Sequence, residues 1–561
     1  MTIRTLIFML VAGTLVFALP SCDSYLEEEL ISTVSSDTYY PTPAGFEDAV
    51  KAVYSFTKPF YGVERGYTMT VFGTDTYTNG ADGSFKGINL YDGQLNPTDN
   101  VIEGTWRDLY RGINQANAVV DRAPALEGLT EEEKTARVAE VRFLRALYYF
   151  DLVRFYGDVH LTLEETQGVE VTANRTAASE VYLQAIVPDL EFAIANLPDE
   201  QSDYGRATKP AAEFLLGKVL LTRSYTDYAQ GDDASRAEQL FTNVIENYGF
   251  RLLDNYADLW EITNERNAEV VWAIQNSKTQ VDEGLDGNGN RGHLYFLMEY
   301  DNQPGLTRDI ANGRPWKRFR PTPYTLQLWD RSVDTRYDGS FKSVWLANNE
   351  GTIPTYTAEE AAAGYGGEGQ PKFQPGDTAI YIPGPQLEDA WPQERQAATR
   401  YQVITSDEYT ERLFPTLSKW LDPTRPNRQH TQGQRDYVLM RLGDAYLLRA
   451  EARLQQGDRE GAAEDINVIR TRAAVEGQEE ANQVTADQVD LDFLLDERAR
   501  ELVGEGHRWF DLTRTMTLVE RVQQYNEQAA PNIKDFHVLR PIPQDQIDRT
   551  LGGYPQNPGY Q

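Results

Sequence analysis

The chain has 561 residues and one cysteine, Cys22. A single thiol allows no intramolecular disulfide, no four-cysteine zinc site and no cysteine-held iron–sulfur cluster. A chain this long must therefore be held by apolar packing, and at roughly 100–200 residues per domain it exceeds one compact core unless it is an elaborated repeat fold. Its 40% apolar and 25% charged residues are the mix of a soluble globular protein. Cys22 follows one cation, Arg4, an apolar run from Leu6 to Leu19, and Pro20-Ser21. A charged start, a short apolar core and a small residue before the cut make residues 1–21 a secretory signal peptide. The run is too short for a span of about 20 residues.

The segment Leu19-Pro20-Ser21-Cys22 resembles a bacterial lipobox, in which the cysteine becomes the acylated first residue of the mature chain. Cys22 is therefore the expected lipidation site, and the mature protein is expected to be lipid-anchored and otherwise soluble. An ordinary cleaved signal with an incidental cysteine is the alternative. Residues 22–40 begin Asp23-Ser24-Tyr25-Leu26-Glu27-Glu28-Glu29 and read as an acidic tether. Acids outnumber bases 86 to 53, a formal net charge of −33. Such a chain is no general nucleic-acid binder, because phosphates are bound by Lys and Arg. Nor does it carry a polybasic hold on anionic lipid.

Helical periodicity is strong in separate blocks. Ala139, Phe143, Ala146, Leu147 and Phe150 recur at three- and four-residue steps, followed by Val153 and a stop at Gly157. A second helix fits 178–197, capped by Ser179. Segments 208–229 and 234–248 pair around Gly231-Asp232-Asp233, and 437–456 and 459–474 pair around Gly457-Asp458. A shift of one pair onto the other lays Leu221 on Leu447, Ala237 on Ala463 and Leu240 on Ile466. Two antiparallel helices with a Gly turn and small residues at close-packing positions form a tetratricopeptide-like unit. One such pair cannot bury its apolar face, so neighbours must stack. The part from 251 to 435 is different, rich in Pro, Gly, Asn and aromatics. Val270-Val271-Trp272-Ala273-Ile274 reads as a short buried strand there, and 349–377 as a long exposed loop. A helical scaffold carrying irregular excursions is how binding surfaces are commonly built.

No catalytic motif stands out. The five histidines are not spaced as metal ligands, and there is no HExxH, P-loop or GxSxG elbow. Gly287-Asn288-Gly289-Asn290-Arg291-Gly292 fits GxGxxG but follows no strand, so it reads as chance. The acidity leaves calcium open, but no Asp-x-Asp-x-Asp-Gly loop supports it, and no other metal or cofactor is expected. The densest charged stretch runs from Asp496 to Arg514. It could hold Glu505, His507 and Asp511 as an acid–base set, but arginine–carboxylate forks tying helices together, with Trp509 and Leu512 in the core, explain it better.

At these residues the chain resembles the SusD/RagB lipoproteins of Bacteroidetes. The N-terminal half carries the lipobox, Trp106, Tyr110 to Asn117, Glu140 to Val159, and Arg206-Ala207-Thr208-Lys209. The C-terminal half carries Arg441 to Ala452, Ile469 to Ala473, Glu497 to Asp511, Leu539 to Pro543 and Gln556 to Tyr560. The order is collinear over nearly the whole chain. The resemblance implies a mainly α fold, with tetratricopeptide-like helix pairs supporting an irregular ligand-binding part and a few short strands. It divides the chain into an N-terminal part (41–250), an irregular binding part (251–435) and a C-terminal helical part (436–561) that forms one unit with the first. It implies an outer-membrane lipoprotein facing the cell exterior. It also implies a SusC-like TonB-dependent transporter as partner and an oligosaccharide or polysaccharide as cargo.

Sugar capture needs flat rings against the C–H faces of the sugar and planar polar groups at its hydroxyls. Trp316 is the first candidate, with Arg314 beside it and Lys317 and Arg318 following. Next come Tyr77 with Asp75 and Asn79, then Tyr295, Tyr300 and Tyr91. Trp345 and Trp391 are more distant candidates. Trp106, Tyr148, Tyr149, Trp272 and Trp509 fall inside helical or strand patterns and are expected in the core. Capture of a peptide by the same architecture is the main alternative, and a two-carboxylate surface glycosidase a weaker one.

Overall fold

The computed structural model describes residues 40–276 and 289–560. Cys22, the signal peptide and nearly all of the acidic tether lie outside the described residues, as do the first residues of the GxGxxG match.

The helices form one stack. Helix α1 spans Pro43–Ser55, α2 Asn100–Arg122, α3 Glu131–Tyr156, α4 Val187–Asn196, α5 Lys209–Arg223 and α6 Asp233–Glu246. After the irregular part come α7, Leu442–Gln455, and α8, Arg459–Ala473. Each of α2 to α8 packs on the next, including α6 on α7. The scaffold thus runs unbroken through space although almost two hundred residues of chain intervene. At that junction Arg453 reaches Glu238 at 3.0 Å and Arg449 reaches Glu246 at 3.3 Å.

The predicted repeat is visible in the ion pairs. Arg223 and Arg449 occupy matching positions on α5 and α7, and each forks onto the second helix of its pair, to Asp233 and Asp465, both at 2.6 Å. Lys218 and Asp444, 226 residues apart and also equivalent, meet at 3.4 Å. Gly217 lets the Phe241 ring close on α5, where a Cβ would lie 2.9 Å from it.

Local chemistry explains where the helices depart from expectation. Helix α5 stops at Arg223 because Ser224 and Thr226 turn their hydroxyls back onto Leu221 O and Arg223 O, both at 2.7 Å, a local competitor of helix continuation. The helix beginning at Ala178 is capped by Asp158 rather than Ser179, with Oδ1 accepting from Ala178 N at 2.9 Å. It widens into a π turn over Tyr182–Ile186 just before Pro188, which has no N–H to donate. Residues 437–441 are not helix but strand.

The strands are short and include β1 Tyr77–Asn79, β2 Val270–Ile274, β3 Phe319–Pro321, β4 Val344–Leu346, β5 Thr378–Tyr381, β6 Gln402–Val403 and β7 Tyr437–Arg441. Strand β2, fully buried as expected, pairs antiparallel with β7. Strand β1 pairs antiparallel with β3, placing Thr78 opposite Arg320. The sheet β4–β5–β6 covers a small separate core of Met298, Tyr300, Trp345, Phe373, Ile380 and Phe414.

Helices α9 (Leu491–Glu501), α10 (Arg508–Arg514) and α11 (Leu518–Tyr525) close the chain over the junction. Here the predicted forks are present. Buried Arg441 meets Glu269 at 3.0 Å and Glu501 and Glu505 at 2.7 Å each. Arg336 meets Asp334, Glu497 and Glu501 at 2.7, 2.8 and 3.0 Å. Arg498 joins Asp444 and Asp511. Trp509 and Leu512 are fully buried. Burial alone would raise the carboxyl pKa of Glu497, but Arg336, Arg470 and Arg500 override it and hold it down at about 2.

Candidate functional site

The residues proposed from sequence divide sharply by burial. Tyr77, Tyr91, Tyr295 and Tyr300 are 0–3% exposed, so the expectation that they present open ring faces is corrected. Tyr77 lies edge-on to Phe296 at 5.3 Å. Tyr295 sits among Tyr67, Trp316 and Phe319, each at 5.9 Å. Tyr300 stacks on Trp345 at 4.6 Å and donates to Gly313 O. Tyr91 donates to Gly73 O and faces His537.

Asp75 and Asn79 are buried too. Asp75 accepts from Arg508 at 2.7 and 2.5 Å and from Arg521 at 2.8 Å. Burial pushes its pKa up, and the two guanidinium groups more than reverse this, leaving it below the ordinary carboxylate value. The cause is shared. Segment 72–91 is polar, but many of its polar groups are bonded inside by partners far along the chain, while the Tyr77 hydroxyl and Asn79 Oδ1 are buried without a partner among the described residues. Asn526 Nδ2 donates to Thr74 O at 2.8 Å and to Asn89 Oδ1 at 3.0 Å. Gln528 Oε1 accepts from Thr78 Oγ1 at 3.0 Å. The expected core aromatics Trp106, Tyr148, Tyr149, Trp272 and Trp509 are all buried.

Trp316 remains half-exposed. Its backbone N–H donates to Leu294 O at 2.8 Å, fixing the loop on the scaffold. Two guanidinium groups lie over its ring, Arg314 at 5.8 Å and Arg318 at 5.2 Å from the centroid. Arg318 is itself held by Glu64 at 2.9 Å, and Arg314 donates to Gln429 O at 3.2 Å. Lys317 adopts φ 44° and turns away to Asp82 at 3.1 Å.

Two further aromatic features are present, and of their rings sequence reasoning names only Trp391. At the other end of β3 a cleft of about 360 Å³ opens where the N-terminal, irregular and C-terminal parts meet, lined among others by Thr78, Arg320, Glu388, Tyr409, Tyr525 and Gln528. Tyr525 stacks on Tyr324 at 4.0 Å and 24°. On the outer side of the small sheet, Tyr381, Trp391 and Tyr401 form a half-exposed row with centroids 5.2 and 6.3 Å apart. Only the Pro-rich neighbourhood of Tyr324 could have flagged the first.

A larger cleft of about 740 Å³ lies beside Glu265, Asn276 and Asp436. Burial lifts the Glu265 carboxyl to about 8 and that of Asp436 to about 6. Among the described residues no three His, Cys, Asp or Glu side chains converge as metal ligands, and no helix is long and apolar enough to cross a membrane. Glu505, His507 and Asp511, the possible acid–base set, are all buried within the ion-pair lattice.

Residues 229–560 match the model of the SusD family, and residues 25–221 match one described as starch-binding associating with outer membrane. The chain belongs to the SusD family. A SusD-like protein of Formosa agariphila is 25% identical over 575 residues, covering 96% of this chain and 98% of the relative. The starch-binding protein SusD of Bacteroides thetaiotaomicron is 24% identical over 481 residues, 83% and 80% of the two chains. The fold is shared with a laminarin binding SusD-like protein (TM-score 0.67, 24% identity, 92% and 100% of the two chains). It is shared also with NanU of B. fragilis (TM-score 0.70, 20% identity, 95% and 100%).

Proposed function

We propose that this chain is a surface lipoprotein, acylated at Cys22 and facing the cell exterior at the outer membrane, that captures oligosaccharide and delivers it to a SusC-like TonB-dependent transporter. The observation that carries the reading is Trp316, a half-buried indole with two anchored guanidinium groups over its ring. The exposed part of the ring offers contact to sugar C–H groups, and Arg314 and Arg318 beside it offer hydrogen-bond donors to hydroxyls. The family supports the same reading, since one relative is a starch-binding protein and one solved structure of the fold a laminarin binding protein.

The role is capture without turnover. A lipid anchor holds the protein beside its partner, so modest affinity is multiplied by local concentration and by several contacts along one glycan. The test is affinity electrophoresis of the soluble chain, starting after Cys22, through gels holding different glycans. At least one glycan should retard the wild type, and Trp316→Ala should weaken that binding about tenfold, the loss of roughly 1.4 kcal/mol. Retardation equal to wild type in the variant would remove Trp316 from the site. Hydrolysis of the glycan would replace capture with catalysis.

A further inference from the structure

We infer that the cleft at the far end of β3 is a second contact for the cargo, one that takes a neutral sugar and rejects acidic ones. The inference rests on the glycan-capture reading and adds the substrate class.

The starting point is Arg320. Several buried arginines of this chain are held in forks, as Arg336, Arg441, Arg508 and Arg514 are, while Arg540 packs over the Tyr91 and Trp509 rings. Arg320 lines the cleft, yet its guanidinium has no hydrogen bond or ion pair with a described residue, and its Nε is buried without an acceptor. The Tyr409 hydroxyl, on the same wall, is likewise buried without a partner. Both residues line one cleft, and an unpaired polar group there is costly to leave unmet, at about 1–3 kcal/mol. A ligand that supplies oxygen to the Arg320 guanidinium recovers that cost.

The rest of the wall states what kind of oxygen. Glu388, Glu527 and Gln528 line the same space. The charges of Glu411 and Glu527 both reach Arg320. A carboxylate or sulfate would satisfy Arg320 but would sit against these like charges in a cleft of about 360 Å³. A hydroxyl satisfies both sides, accepting from Arg320 and donating to a glutamate. Tyr525 adds a ring face already held in place, stacked on Tyr324, whose hydroxyl donates to Asp496, and flanked by the Arg521 guanidinium at 5.4 Å. The volume lies at the low end of the roughly 300–1,000 Å³ of ligand pockets, which suits a chain end or short branch rather than a long run of sugars.

The experiment measures wild type, Trp316→Ala, Arg320→Ala, Arg320→Lys, Tyr525→Ala and a Glu388→Gln/Glu527→Gln double variant. Binding is read against soluble α- and β-glucans, polygalacturonate and a sulfated galactan, and melting temperatures check folding. Arg320→Ala and Tyr525→Ala should each weaken neutral-glycan binding five- to twentyfold with Tm unchanged. Arg320→Lys should recover part of the loss. The double variant should gain several-fold toward the acidic polymers relative to the neutral ones. Wild-type affinity in both Arg320→Ala and Tyr525→Ala, with Trp316→Ala defective, overturns this proposal and leaves the function standing. Tighter binding of an acidic polymer by the wild type overturns the assigned class. Failure of every glycan to bind the wild type overturns both readings.

Discussion

Individual charges inside this protein are placed where removing one leaves others stranded. Arg441 is surrounded by Glu269, Glu501 and Glu505, all buried. Its replacement by Met should cost about 3–5 kcal/mol, because three buried carboxylates each lose one of their counterions and keep only Arg472, Arg336 or Lys419, and chemical denaturation will read the loss. His507 gives a second prediction. Burial, then the Lys218 ammonium 3.2 Å away, lowers its pKa from 6.5 to about 4. The unfolded chain therefore binds this proton first as pH falls. The stability the histidine contributes is present above pH 6.5 and lost on descent toward pH 4, by at most ~3 kcal/mol. His507→Gln should flatten that part of the stability–pH curve, and the wild-type imidazole resonances should stay unprotonated to below pH 5. The alternating acids and arginines of 496–514 were legible as forks because no other arrangement satisfies so many charges near buried apolar residues. The burial of Tyr77 was not legible. Its Thr, Asp and Asn neighbours suggest solvent, and only Asn526 and Gln528, some 450 residues on, make that segment interior.

At the level of helices and strands, local pattern determined what local forces could hold. The 3.6-residue period and the Gly turns placed α5 to α8, and their matched arginines show that the similarity between the two pairs is structural. Close packing of each pair can be tested at Gly217. A side chain there meets the Phe241 ring, and Gly217→Val should destabilise by about 1–3 kcal/mol, seen as a lowered Tm with unchanged glycan binding. The stretch 437–441 failed as a helix because its partner is β2, about 160 residues earlier. Tyr437 stacks on Trp420 at 5.4 Å and 4°, a contact no local period encodes. The half-exposed row Tyr381, Trp391 and Tyr401 is brought together by β5, a turn and β6 in the same way.

The whole molecule is a continuous helical stack with a loop-rich part inserted between two neighbouring helices. This arrangement was legible in outline, since the periodic blocks flank an aperiodic centre. What the centre displays was not, because its ring positions depend on contacts to both flanks. The proposed anchoring has a direct check. Cys22→Ser in the full chain should move the protein from the membrane fraction to the soluble one, and pull-down of the wild type should recover a β-barrel transporter.

The ion-pair lattice also governs how the chain can be divided. Asp75 belongs to the N-terminal part, but both its counterions lie beyond residue 500, and of the centre Arg336 closes on Glu501 of the end and Glu269 on Arg472. A cut at either seam would leave carboxylates in one fragment and guanidiniums in the other with nothing to neutralise them. Separately expressed pieces should remain unstructured or recombine, and the intact chain should melt in a single step.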